Sequence, residues 1–297
     1  MIIYDYDGNP IINEIKTDKT LTKKDFPADA KAVGDILETS GITVSEPTID
    51  DIPLVFITGT LPTSKDDGNV PIELVYISKT TRFKCYATLK VQGSSSVTYP
   101  KKNYTLNMYS DSLLQNKFKY NFRNWGEQDK YVLKANWIDI THARNIVSAR
   151  LWGDMVKTRQ NLSNYPNAFV ETPNYGAIDG FVVKLFVNGV YHGRYTWNIP
   201  KDKWTFNMAV VDTSAILCAG DINATAFFDK PITIDGGDNW EDKLHDDIGL
   251  PEMVTRFNNF ISFVMNSTDS DFIQNLSNYA YVDSLIDYYI MLYVLCA

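Results

Sequence analysis

Residues Gly93-Ser94-Ser95-Ser96, with Lys101 and Lys102 a few positions on, are the segment best equipped for chemistry. A turn of small residues presents backbone amides and hydroxyls, groups that hold phosphate oxygens, and a nearby ammonium neutralises their charge. The spacing is not that of a Walker loop, so on spacing alone the segment also reads as a plain Gly/Ser turn between two strands. Asp139, Arg144 and Asn145 form a second polar cluster where a helix begins. There a carboxylate caps amides, and the guanidinium either reaches an anion or pairs with Asp139. His142, His192 and His245 fall on different elements, without paired metal-ligand spacing or an adjacent nucleophile motif, and read as ordinary surface or satisfied histidines. The acidic run Asp235, Asp238, Glu241, Asp242, Asp246 and Asp247 does not follow EF-hand order and reads as a solvated loop. Spacing therefore assigns no catalytic residue and no metal ligand set.

The elements that must position these groups are set by periodicity. Leu54 to Ile57 and Ile72 to Ile77 read as strands flanking the polar turn Lys65 to Asn69. Phe83, Cys85, Ala87, Leu89 and Val91 alternate with polar neighbours, which predicts a half-buried strand running into Gly93. Tyr104, Leu106 and Met108 share one face of the next strand, and Tyr131 to Trp137 reads as another. A helix is expected from a cap at Asp139 or Thr141 to about Arg159, burying Ala143, Val147 and Leu151 with a face widened by Ile146, Trp152, Met155 and Val156. Phe181 to Val187 and Val190 to Trp197 flank Asn188-Gly189, a pair suited to the positive backbone angles of a two-residue hairpin. From Pro251 the pattern is mainly helical, and Tyr281 to Leu295 is apolar around most of its circumference, so burial on nearly every side or cover by another subunit is expected.

Residues 1–45 differ from the rest of the chain. Met1 to Ile12 suggests a small hairpin, and Ala30, Val33 and Leu37 mark one face of a short helix opened at Pro27. A helix of about three turns is marginal alone, so an attachment or oligomerisation segment (1–45) is expected ahead of one larger domain (46–297). The resulting fold class is α+β, with a β-rich N-terminal half and a helical C-terminal part.

Composition narrows the function. With 28 Lys+Arg against 36 Asp+Glu the net charge is −8, which argues against a nucleic-acid binder working through a basic surface. The N-terminus carries Asp5 and Asp7 where a secretory signal needs a basic start, and the longest apolar run, Tyr288 to Ala297, is half of the roughly 20 residues a membrane span needs. Synthesis in a cytosol and no membrane span are the expectations. Three well-separated cysteines offer neither a disulfide framework nor a zinc spacing.

Lys90 to Ser96, Tyr99 to Tyr104, Leu133 to Asn136 with Asp139, Thr141, Arg144 and Asn145, and the stretch Phe186 to Tyr195 together resemble the spore-coat CotH kinase-like family. Asn198 to Trp204 is similar to its phage and prophage branch. The resemblance implies an atypical protein-kinase fold whose β-rich part binds ATP, with Ser94, Ser95, Lys101 and Lys102 near nucleotide phosphates and Arg144 as an anion contact. Two departures stand out. Many members place a Glu after the Gly-x-Tyr strand, whereas Ile199 follows Asn198 here. The family's Asp-Asn loop and Tyr/Trp-Asp-x-Asp segment, which hold metal and perform catalysis, would follow the Tyr281 to Leu295 helix, beyond Ala297.

Separately, Thr17 to Thr22 and Phe26 to Gly34 resemble the opening of phage tail, baseplate or fibre proteins. The combined expectation is a virion protein, made in the host bacterial cytoplasm. It would be a structural or host-contacting tail component, homo-oligomeric and joined to other tail proteins through its N-terminus, carrying a CotH-like module of little or no kinase activity and no cofactor. The alternatives are an active ATP- and magnesium-dependent Ser/Thr protein kinase and, third, a carbohydrate-binding module using exposed aromatics.

Overall fold

The computed structural model describes residues 52–208, 217–220, 230–233, 240–242 and 251–295. The N-terminal hairpin, short helix and tail-like motif expected from the sequence lie outside them, as do Asp235, Asp238, His245, Asp246 and Asp247. The chain divides into two compact units. The first comprises Met1–Tyr120, Gln128–His142 and Phe181–Asn198; the second comprises Asn121–Glu127, Ala143–Gly180 and Ile199–Ala297.

In the first unit, seven strands close a barrel in the order β1-β2-β3-β4-β5-β7-β6. They are β1 (Leu54–Gly59), β2 (Val70–Ile77), β3 (Arg82–Gln92), β4 (Asn103–Tyr109), β5 (Lys130–Lys134), β6 (Gly180–Val187) and β7 (Val190–Asn198). The period-two pattern of β3 and β4 is realised: Cys85, Ala87, Leu89 and Val91, then Tyr104, Leu106 and Met108, all lie in the core. Burial pushes the Cys85 thiol up to about 12, as expected for an inert core cysteine. Trp197, fully buried, meets Tyr131 at 5.3 Å and Tyr76 at 5.9 Å between ring centroids. β5 ends at Lys134, short of the expected Trp137, which is half exposed in the loop after it.

Closure depends on one parallel pair, β1 with β6, in register from Leu54 opposite Lys184 to Ile57 opposite Val187. Asn188 extends it. Its Nδ2 donates to the Gly59 carbonyl (3.0 Å) and its Oδ1 accepts from the Gly59 amide (2.9 Å), so the side chain acts as one more rung. Asn188 and Gly189 both have positive φ, 49° and 82°, the conformation that suits these two residue types between β6 and β7.

The second unit holds α1 (Arg144–Lys157), α2 (Asn167–Val170), α3 (Pro251–Asn266), α4 (Asp269–Asn275) and α5 (Val282–Leu295). Two further short strands, β8 (Cys218–Gly220) and β9 (Trp240–Asp242), pair antiparallel. Neither Asp139 nor Thr141 caps α1; Ala143 occupies the N-cap without a side-chain bond. The buried face of α1 is Ile146, Gly153 and Val156, whereas Val147 and Leu151 are exposed, which corrects the expected stripe. The reason is Gly153, where a Cβ would come within 1.9 Å of Asn174 Oδ1, while Asn174 Nδ2 donates to the Ala149 carbonyl (2.8 Å). The loop carrying Asn174 therefore lies against the face that bears the glycine.

α5 is not buried on nearly every side within its own chain, the first of the two arrangements expected for it. Met291 is its one buried residue, and Ile286, Tyr289, Tyr293 and Val294 are more than half exposed. Its two carboxylates point inward. Arg159 Nε donates to Asp287 Oδ2 (2.8 Å), Arg159 Nη1 donates to the Tyr165 hydroxyl (2.9 Å), and that hydroxyl donates to Asp283.

Candidate functional site

At one end of the barrel, β3 runs out into the loop at Gly93, β4 begins, and β5 ends. Gly93 has φ 124°, and a Cβ there would sit 2.1 Å from Ser96 Oγ, so only glycine fits this turn. Ser94 and Ser95 are exposed at the start of a 3-10 turn (Ser95–Thr98). Turn bonds run from the Val97 amide to the Ser94 carbonyl (3.3 Å) and from Thr98 Oγ1 to the Ser95 carbonyl (2.8 Å).

The residues after the loop hold it in place, each differently. Lys102 Nζ donates to the carbonyls of Val97 and Tyr99, both at 2.7 Å, so it organises the loop from within. Asn103 Nδ2 donates to Ser96 Oγ (3.1 Å), and its Oδ1 accepts from the Ala135 amide (2.7 Å), which joins the loop to the end of β5. Lys101 turns the other way. Its Nζ donates to the Arg194 carbonyl and, at 3.5 Å, to that of Ala135, and it lies 4.2 Å from the centroid of the Tyr195 ring. Gly193, at φ 114°, leaves the room it needs, since a Cβ there would be 3.3 Å from Nζ.

Neither carbonyls nor a ring face cancels the charge of Lys101, and burial lowers its pKa to about 8. Arg194 is a second cation nearby, and two histidines border the site. The pKa of His142 is lowered, first by burial and then by the charge of Lys101, with Arg194 adding to the effect and Asp139 opposing it. That of His192 is lowered by desolvation and by Lys101. His142 is itself held at a positive φ of 55°, and its buried Nδ1 has no hydrogen-bond partner among the described residues. The preceding loop is fixed by Asp139, whose Oδ1 accepts from the Thr141 amide (3.1 Å) and hydroxyl (2.7 Å), and by Asn136, whose Nδ2 donates to Thr196 Oγ1 (3.1 Å).

Of the five residues singled out from sequence, Ser94, Ser95 and Lys102 thus share one loop, and Lys101 is linked to it through Asn103 and Ala135. Arg144 starts α1 in the second unit. Periodicity offered no sign of Asn103, Gly193 or Tyr195, and the histidines looked unconnected because 50 positions separate His142 from His192. The available signal was the run Lys101-Lys102-Asn103, three polar residues entering a strand whose alternation sends neighbouring side chains in opposite directions.

The family model described as CotH kinase protein matches residues 89–295, which spans this loop, the cationic cluster and the described helices. The chain belongs to the CotH family. No curated protein matches it. The CotH match begins inside β3, so β1, β2 and the first residues of β3 complete the barrel from outside the matched region. Among the described residues no group of three His, Cys, Asp or Glu side chains lies together, and no metal position is assigned to the CotH region.

Proposed function

We propose that the barrel of this CotH protein binds the phosphate groups of a nucleotide, ATP by the chemistry of its family. The observation that carries this reading is the uncompensated charge of Lys101, held beside His142, His192 and Arg194 and coupled through Asn103 to a glycine turn with exposed hydroxyls. A polyanion is the ligand such a cluster favours, because it relieves repulsion that the fold leaves in place. Ser94 and Ser95 offer hydroxyls to phosphate oxygens, Lys101 supplies the opposite charge, and Lys102 keeps the loop in shape.

The test is a calorimetric titration with ATP, with and without magnesium, on the full chain and on Lys101→Met. Saturable binding weakened about tenfold or more by the substitution is expected, since a charged hydrogen bond of this kind contributes roughly 1.5–3 kcal/mol. NMR titration should also show the imidazole pKa of His142 and His192 rising when nucleotide binds, because an added anion favours their charged forms. Absence of binding, or equal binding by Lys101→Met, would remove the basis for the proposal.

A second reading is favoured by the tail-like motif at residues 17–34: a structural or host-contacting component of a phage tail, with catalysis secondary or lost. Mass spectrometry of purified particles should then find the chain in the virion, and deletion of residues 1–40 should prevent its incorporation while the barrel stays folded. Incorporation unchanged by the deletion would sink the anchoring role.

A further inference from the structure

The outward side of α3 is unusual for a solvent-facing helix surface. From Phe257 to Thr268 there is no charged residue, and none from Phe272 to Val282, where exposed helix faces ordinarily carry Lys and Glu. In their place stand amides and hydroxyls, although asparagine within a helix is a weak helix former. Asn258 has a structural use: its Nδ2 donates to the Ile232 carbonyl (2.9 Å) and its Oδ1 accepts from the Ile232 amide (2.7 Å). Asn259, one position on and exposed, makes no such bond among the described residues. It lines an open groove of about 490 Å³ with Ser262, Asn266, Ser267 and Asp271, and the rings of Phe263 and Tyr279 line it too.

The aromatic side of this groove is built in advance. Phe272 stacks on Phe263 at 5.4 Å and 13°, and Phe263 stacks on Tyr279 at 4.2 Å and 15°. Phe263 stacks on Tyr279 and Phe260 lies 6.2 Å from it at 32°, yet Tyr279 remains 47% exposed, so part of a supported ring stays open to solvent. The polar side is ordered too. Asn266 Nδ2 donates to the Ser262 carbonyl (2.9 Å) and Oγ (3.2 Å), which leaves the Asn266 carbonyl oxygen and the Ser262 hydroxyl proton for a ligand. The one carboxylate, Asp271, accepts from Thr268 Oγ1 (2.7 Å) at the start of α4, which orients it in the helix cap and leaves acceptor sites for ligand hydroxyls.

From this we infer a binding site for a neutral carbohydrate between α3 and Tyr279. A sugar ring has an apolar face of C–H groups and a rim of hydroxyls that both donate and accept. The groove offers a supported aromatic face beside uncharged amides and hydroxyls, which matches both features. An anionic ligand would meet Asp271 and no opposing charge. All of the residues belong to the second unit, so the inference stands or falls independently of nucleotide binding by the barrel.

Saturation-transfer NMR of the full chain with cellobiose, maltotriose and chitotriose tests it. At least one should receive saturation on its ring C–H protons, saturably, and Tyr279→Ala should weaken binding roughly tenfold or more, as loss of an aromatic anchor does. Tyr279→Phe should retain it, because the stack survives. Asn259→Ala, at an exposed position whose side chain bonds nothing else among the described residues, should weaken binding without lowering the thermal midpoint, which separates recognition from stability. No transfer to any of the three sugars, or transfer undiminished in both alanine variants, would overturn the inference.

Discussion

Replacing Asp287 with alanine is expected to destabilise the second unit by about 3–5 kcal/mol, because it strands a buried guanidinium without its counter-charge. The Arg159 side chain is only 4% exposed, and both its Nε and Nη2 lie 2.8 Å from Asp287 Oδ2. The guanidinium also lies over the rings of Trp152 and Tyr165, contacts that hold its position but cannot neutralise it. Hydrogen exchange should show the loss first in α5, which is tied to the rest of the unit through this carboxylate and through Asp283. The double variant Arg159→Met, Asp287→Leu should recover part of the stability, since the stranded guanidinium is gone and Asp283 keeps its bonds from the Tyr165 hydroxyl and the Ser284 amide. Recovery no better than the single variant would show that the pair acts through geometry and not through charge.

The same network has a pH signature. Burial raises the pKa of Asp283, but hydrogen bonds from Tyr165 and Asn161, the Ser284 amide and the charge of Arg159 together bring it below the ordinary carboxylate value of 3.8. A carboxylate with a depressed native pKa contributes stability that is complete above its unfolded value and fades as pH falls through the native one. Acid unfolding of the α5 contact should therefore set in below about pH 4 and be complete only at lower pH.

Trp197→Ala is expected to cost about 3–5 kcal/mol as well, here in the barrel, where removal of a large buried ring leaves a cavity that the closed sheet cannot collapse. Tyr76, Tyr131 and Phe181 would each lose a neighbour directly or through the ring cluster. Against a total stability of about 5–15 kcal/mol for a domain, either substitution removes a large share. Denaturant titration followed by tyrosine fluorescence should show a lower midpoint at unchanged slope. An unchanged midpoint would mean that the ring contributes little to the core.

These two sites differ in how readable they were. The barrel strands announce themselves because a strand with one buried face needs only local alternation, and Cys85 to Val91 follows it at every position but Thr88, which is buried as well. The α1 face was not readable in the same way. Two sets of positions compete for burial, and the choice is made by Asn174 packing at Gly153, a contact between residues 21 positions apart. The ion pair of Arg159 with Asp287 spans 128 positions, and neither residue has a local reason to be singled out. At the anion site the lysines were legible as a pair, but their division of labour comes from strand alternation at the start of β4 and from carbonyls supplied by β5 and β7. Arg144, whose charge also fits an anion, starts α1 in the second unit.

The parallel pairing of β1 with β6 sets a timetable for the newborn chain. Leu54 must wait for Lys184, 130 residues later, before that edge of β1 finds its partner. At roughly 5–20 residues per second on the ribosome, the wait is about 6–26 seconds, during which β1 to β5 can pair with one another but the sheet stays open. The β1–β6 seam is therefore made late, with only the β5–β7 pairing waiting longer, and until Asn188 engages Gly59 it is an adhesive edge exposed to every other nascent chain nearby.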